Sequence, residues 1–322
     1  MNPDILSAAI GFSDPLQHSL AQLERLAAAL KHARFDLRDA LRTATQLACQ
    51  GQPSARAFVH HIQSGIDHPE VQKRTDKLLK ICDYTDRLEA LTEIHRDKLL
   101  LPRLYALEGP VFIEGDPARQ KLVVVFTTMF NNFGIANTVL LAILKKYGVS
   151  VLLLRDCTQA NYLGGASSFG EDLDDMSQKI EAFARSKSFD SVYLMGYSSG
   201  AYASCYASTR MRCAGHLVFS GPADFSLDTA LPTEWMIPRE IRQLFDPRHL
   251  LDLSDVLPGA PLRRRFIVGA QSRRDLRNAH HLRHVAGLEI IEIADCVHDT
   301  PETLIARGEF DAHLDWLFSG SA

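Results

Sequence analysis

The sequence predicts an α/β domain with a mostly parallel sheet, preceded by an all-helical N-terminal region. Three observations carry this reading. From Leu122 onward, continuous apolar runs alternate with helical stretches, the pattern of strands buried on both faces. Before about residue 104, apolar residues recur at helical spacing instead. Within the alternating pattern lies Ser191–Gly200, SVYLMGYSSG, in which an apolar run passes without a gap into a Gly/Ser turn and then a small-residue helix.

In residues 1–104, Leu16, Leu20, Leu23, Leu26, Ala27 and Leu30 share one helical face, and Phe35, Leu37, Leu41, Ala44, Leu47 and Ala48 continue it. Gly51-Gln52-Pro53 breaks the pattern, and Ser54 caps a helix through Phe58, Val59 and Ile62. Val71, Leu78, Leu79, Ile81, Leu88, Leu91 and Ile94 mark two further amphipathic stretches. No strict internal period is visible, so a helical packing module is the simpler reading than a repeat array.

Residues 105–322 make the second predicted domain. Pro110–Pro117 reads as an edge strand ending in a turn. Leu122–Phe126 and Val149–Leu154 are strands, with Val139–Leu144 in a helix between them. A loop over Arg155–Gly170 leads to an amphipathic helix, Glu171–Ser186, and then to the strand Val192–Met195. His216–Phe219, Phe266–Val268 and Leu288–Ile293 are the remaining strands, and Pro301–Phe318 is a final helix. Residues 222–260 lack a clear period and are a candidate lid or pocket wall, lined by Trp235, Met236 and Phe245.

Composition excludes several classes. A net charge of −4 argues against a nucleic-acid surface. The start of the chain lacks the basic, then apolar, pattern of a secretory signal, and no apolar run approaches the length of a membrane span. The six cysteines (49, 82, 157, 205, 213, 296) form no CxxC pair, and neither HExxH nor another metal-ligand spacing occurs. A cytoplasmic chain with structural thiols, no metal and no cofactor is therefore expected.

The turn at Ser198 carries chemistry. Gly196-Tyr197-Ser198-Ser199-Gly200 is a G-x-S-x-G nucleophile elbow, in which glycines two residues to either side let a strained serine rise clear of the sheet. The helix that follows aims its free N–H groups, including that of Ser199, beside the hydroxyl. A serine hydroxyl needs a base to take its proton. His298 is placed for that role, in the loop after the last strand. Asp275, in GAQSRRD after the strand before it, would orient the imidazole, giving the chain order serine, aspartate, histidine. Asp224 is the main rival for the acid, with Asp295 and Asp299 behind it. The second oxyanion donor is expected in the loop after Leu122–Phe126, at the N–H of Thr128 or Met129.

From about Leu122 the chain resembles the α/β-hydrolases, through GYSSG, GAQSRRD and VHDTPETLIARGEFDAHLDWLF. More weakly, RDCTQANYLGG resembles hydrolase-like proteins that accompany bacterial surface-polysaccharide or glycoprotein export. The first resemblance implies a serine hydrolase acting on an ester or thioester, small or carrier-linked. An acyltransferase with the same triad is the alternative within enzymes. A non-catalytic binding protein is the alternative outside them, with the helical region as the surface for a protein partner. Tyr197, Trp235, Arg273 and Arg274 are candidate substrate contacts. The two arginines, with Arg277, would favour an anionic leaving group if they face the site, although such charge runs are more often solvated.

Overall fold

The structure is a computed structural model. It describes Leu41, Ala44, Leu47 and Ala48, then residues 55–66, 69–91, 109–156, 160–166, 168–233, 236–259 and 262–319. The chain divides into two compact units, Met1–Leu107 with Ile135–Ala142, and Glu108–Gly134 with Ile143–Ala322. The expected helical face from Leu16 to Leu37 lies outside the described residues.

In the first unit, helices α1 (Ala55–Gly65) and α2 (Pro69–Leu91) form an antiparallel pair. Polar contacts set the direction. Arg56, at the start of α1, reaches Asp83 and Asp86 far along α2, while Gln63, near its end, donates to Asp76. Between them Phe58, Val59, Ile62, Val71, Leu78 and Cys82 are buried together with Leu41, Ala44 and Ala48. The spacing of these apolar positions in α1 is what a one-faced helix requires.

The second unit is built on seven strands: β1 (Val111–Ile113), β2 (Lys121–Phe126), β3 (Ser150–Leu154), β4 (Ser191–Tyr197), β5 (Gly215–Phe219), β6 (Arg264–Gly269) and β7 (Leu288–Ile293). They lie in the order β1-β3-β2-β4-β5-β6-β7. Only β1 runs antiparallel, pairing with β3 at the sheet edge, and every other pairing is parallel. The most apolar strands, β2 and β3, sit inside, where both faces need covering.

Alternate residues of each strand serve opposite faces. Leu122, Val124, Phe126, Leu194, Val218 and Phe266 join a core with helices α4 (Leu173–Ser186), α5 (Ser199–Arg210) and α8 (Arg273–His281). On the other face, Tyr193 meets Phe318 and Phe219 stacks on Phe310, both from α10 (Phe310–Phe318). Helix α3 spans Asn137–Lys145.

One local expectation changes. The expected single helix Pro301–Phe318 is two, α9 (Thr300–Ala306) and α10, because Gly308 turns the chain at φ +71°. The 222–259 stretch, the candidate lid or pocket wall, is packed into the domain. It holds the short helices α6 (Arg239–Arg242) and α7 (Leu253–Val256), and its Ile237, Leu250, Leu253 and Leu257 are buried in the main core. The buried Arg242 donates to the carbonyls of Phe225 and Ser226, and Tyr202 of α5 bonds the His249 carbonyl at 2.7 Å. Met236 and Phe245 pack half-buried against that same core, while Trp235 lies outside the described residues. Among the described residues, no helix is long and apolar enough to cross a membrane.

Candidate active site

Ser198 joins β4 to α5 with φ +54° and ψ −114°, a conformation that side-chain-bearing residues rarely adopt. The flanking glycines make it sterically feasible. A Cβ on Gly196 would fall 2.1 Å from Ser204 Oγ, and one on Gly200 would fall 2.2 Å from the Phe126 carbonyl oxygen. The Ser198 N–H is anchored to the Phe219 carbonyl of β5 at 3.0 Å. The turn is thus gripped by both neighbouring strands.

Asp275 lies in the first turn of α8, whose N-cap Ser272 accepts the Asp275 N–H. His298 sits in the loop between β7 and α9, and that loop is stitched to the end of β6 by Gln271 N–H donating to the Cys296 carbonyl at 2.8 Å. These placements bring three side chains together. Asp275 Oδ2 is 2.7 Å from His298 Nδ1, and His298 Nε2 is 2.9 Å from Ser198 Oγ. The geometry fits the tautomer in which Nδ1–H donates to the carboxylate and Nε2 accepts from the hydroxyl. The Asp275 side chain is 3% exposed and that of His298 is 24% exposed, so the acid is sealed while the imidazole is reachable.

Burial alone would raise the pKa of Asp275. The hydrogen bond and charge of His298, the Ser272 hydroxyl and the Arg274 guanidinium outweigh it and hold the carboxyl below its usual range. A carboxylate with a depressed folded pKa stabilises the fold above its unfolded pKa and loses that contribution as pH falls through the folded value. The melting difference between wild type and Asp275→Asn is therefore expected to be full at pH 7 and to shrink below about pH 4. Thermal melts from pH 7 to pH 2 check this, and a constant difference would contradict it.

Asp224 does not approach His298. It is buried elsewhere, accepts the Ser226 N–H at 2.7 Å, and lies with Asp252 and His281 in a group whose donor atoms fall within 4.8 Å of one another. Sequence spacing gave no sign of that group. His281 Nε2 sits 2.9 and 2.8 Å from the two Asp252 oxygens, which ties the end of α8 to the 222–259 stretch.

The two oxyanion candidates separate. The Thr128 N–H donates to the Asn132 carbonyl at 2.7 Å and is committed to its own turn. Neither the Met129 nor the Ser199 N–H donates to another described residue. Asn132, which the sequence reading passed over, organises this loop: its Oδ1 accepts from Thr128 Oγ1 and from the Gly134 N–H. The Asn131-Asn132 pair before Gly134 is the turn signal that could have revealed it. Tyr162, from RDCTQANYLGG, braces the same loop, its hydroxyl 2.8 Å from the Leu154 carbonyl and 3.1 Å from that of Thr127.

The candidate substrate contacts fare differently. Tyr197 is buried, at 4% exposure, against Phe133 and His298, and offers little surface to a substrate. Arg274 Nε lies 3.7 Å from Asp275 Oδ1, and Arg273 is exposed at the start of α8. Arg277 donates to the Ala230 carbonyl, and His280 pairs with Glu292.

No protein-family model and no curated protein matches this sequence. Solved structures do. AbyA5 aligns over 96% of this chain and 96% of its own at 14% identity, with a TM-score of 0.51. The chain has an α/β-hydrolase fold. A lipase-esterase related protein from Clostridium acetobutylicum is similar over 66% of this chain and all of its own, at 14% identity and a TM-score of 0.45. MenH from S. aureus is similar over 64% of this chain and 98% of its own, at 12% identity and a TM-score of 0.42. In this α/β-hydrolase fold the elbow, the acid and the base all stand at the carboxyl ends of parallel strands, where open sheets build their sites.

Proposed function

We propose that this chain is a serine hydrolase that cleaves an ester or thioester through an acyl-enzyme on Ser198. The observation that carries the reading is the unbroken Ser198–His298–Asp275 line of hydrogen bonds at 2.9 and 2.7 Å. Ser198 Oγ attacks the substrate carbonyl carbon as its proton passes to His298 Nε2. The ionised Asp275 stabilises the imidazolium so formed without taking its proton. The carbonyl oxygen, now negative, is received by the Ser199 and Met129 N–H groups, which donate to no other described residue and so suit that charge. Collapse expels the leaving group, which takes the proton from His298. Water, activated by the same imidazole, then hydrolyses the acyl-enzyme and restores the serine.

The acyl side of the substrate is apolar in this reading, and the substrate is small or carrier-linked. Four large apolar side chains are exposed among the described residues, and two of them, Met129 and Val297, belong to the loops of the oxyanion donor and the base. Exposed apolar groups gathered at a site point to an apolar ligand more than scattered ones do. With p-nitrophenyl esters of increasing length, kcat/KM is expected to rise by up to about fourfold per buried methylene. Val297→Ser and Met129→Ser should each flatten that rise. A series that is flat in wild type would overturn the apolar assignment.

A serine-directed fluorophosphonate tests the reading as a whole. Labelling confined to Ser198 is expected; a folded protein that resists the probe would instead fit a binding module without catalysis.

A further inference from the structure

We propose that Tyr197 is a positioning residue that fixes the spacing between the oxyanion loop and the loop carrying His298. This rests on the serine-hydrolase reading above. Tyr197 is the chain neighbour of Ser198, yet its side chain serves the two other parts of the site. On one side its ring lies 5.3 Å from the His298 imidazole, tilted by 33°. Its hydroxyl donates to the His298 carbonyl at 3.3 Å, an acceptor already shared with the Thr300 N–H at 2.8 Å. On the other side the ring meets Phe133, 5.9 Å between centroids, and Gly134.

The Gly134 contact has no slack. A Cβ there would stand 2.5 Å from Tyr197 Cε1, and Gly134 itself holds φ +75°. The oxyanion loop has therefore closed onto the aromatic ring until only a hydrogen fits between them. The same ring backs the imidazole, whose side-chain hydrogen bonds run edgewise to Asp275 and Ser198 and leave its tilt to packing. One rigid side chain with two χ angles thus sets both distances from the nucleophile. A substrate-binding role would require exposed surface that Tyr197, at 4% exposure, does not present.

The test is the concentration dependence of Ser198 labelling by a fluorophosphonate, in wild type, Tyr197→Phe and Tyr197→Leu, with thermal melts alongside. Misplacing a reacting group by about 1 Å can cost about a hundredfold. Tyr197→Leu should therefore slow the saturated labelling rate by more than about tenfold at an unchanged half-saturating concentration. Tyr197→Phe keeps the ring and loses one hydrogen bond, so it should stay within about threefold of wild type while remaining measurably slower. A Leu variant that labels at the wild-type rate, or whose loss lies wholly in half-saturation, overturns the positioning role and leaves the hydrolase reading standing. Should Tyr197→Leu fail to fold, Tyr197→Phe decides alone: a slower saturated rate supports the role and a wild-type rate overturns it. Wild-type protein that is folded and unlabelled at Ser198 overturns both.

Discussion

Ser198→Ala is expected to lower kcat by roughly four to six orders of magnitude, the loss typical of removing a nucleophile from such a triad. The effect is confined to chemistry. Among the described residues Ser198 Oγ bonds His298 Nε2 alone, so the hydroxyl contributes little packing, and the Ser198 N–H keeps its bond to Phe219 in the variant. Activity measured on an activated ester, with thermal melting as the control, decides the matter. Retention of more than about a tenth of the activity, a loss under ~1.4 kcal/mol, rules out Ser198 as nucleophile. The backbone makes a second, less obvious claim. At φ +54° a residue with a Cβ is strained, by about 1–3 kcal/mol in comparable cases. Ser198→Gly should therefore be as inactive as Ser198→Ala yet melt at a higher temperature. A Gly variant no more stable than the Ala variant would mean that the elbow stores no strain.

Asp275→Asn is expected to cost about three to four orders of magnitude in kcat, because an amide can neither hold the Nδ1–H tautomer of His298 nor stabilise the imidazolium. His298→Ala should be at least as severe. Asp224→Asn provides the contrast. Asp224 bonds the Ser226 N–H and neighbours Asp252 and His281, away from the imidazole, so its substitution should cost stability while leaving kcat within a few-fold of wild type, about 1 kcal/mol or less. Measuring both variants at the same pH separates the assignments. If Asp224→Asn proves the more damaging to kcat, Asp275 is not the acid.

Elements whose cause is local can be read from the chain alone. An unalternating apolar run such as Leu122–Phe126 can only be buried on both faces, and a serine between glycines at two-residue spacing after a strand has one common structural use. The sheet and the elbow were legible for that reason. The end of the last helix is legible too, but the break at Gly308 is not, because the apolar spacing continues across it from Leu304 to Phe310. What tertiary structure decided is everything that depends on which loops meet. Asp224 and Asp275 both follow strands and both lie between Ser198 and His298, so chain order admits either; the placement of α8 beside the His298 loop, with Asp275 23 residues before the histidine, puts a carboxylate at Nδ1. Thr128 and Met129 are adjacent and equally plausible donors until the Asn132 turn consumes one N–H of the two. Tyr197 next to the nucleophile reads as a substrate contact, and the closure of Phe133 and Gly134 on one side and His298 on the other buries it. Side-chain direction at a loop junction is set by packing from distant segments, and no local pattern in the chain encodes that.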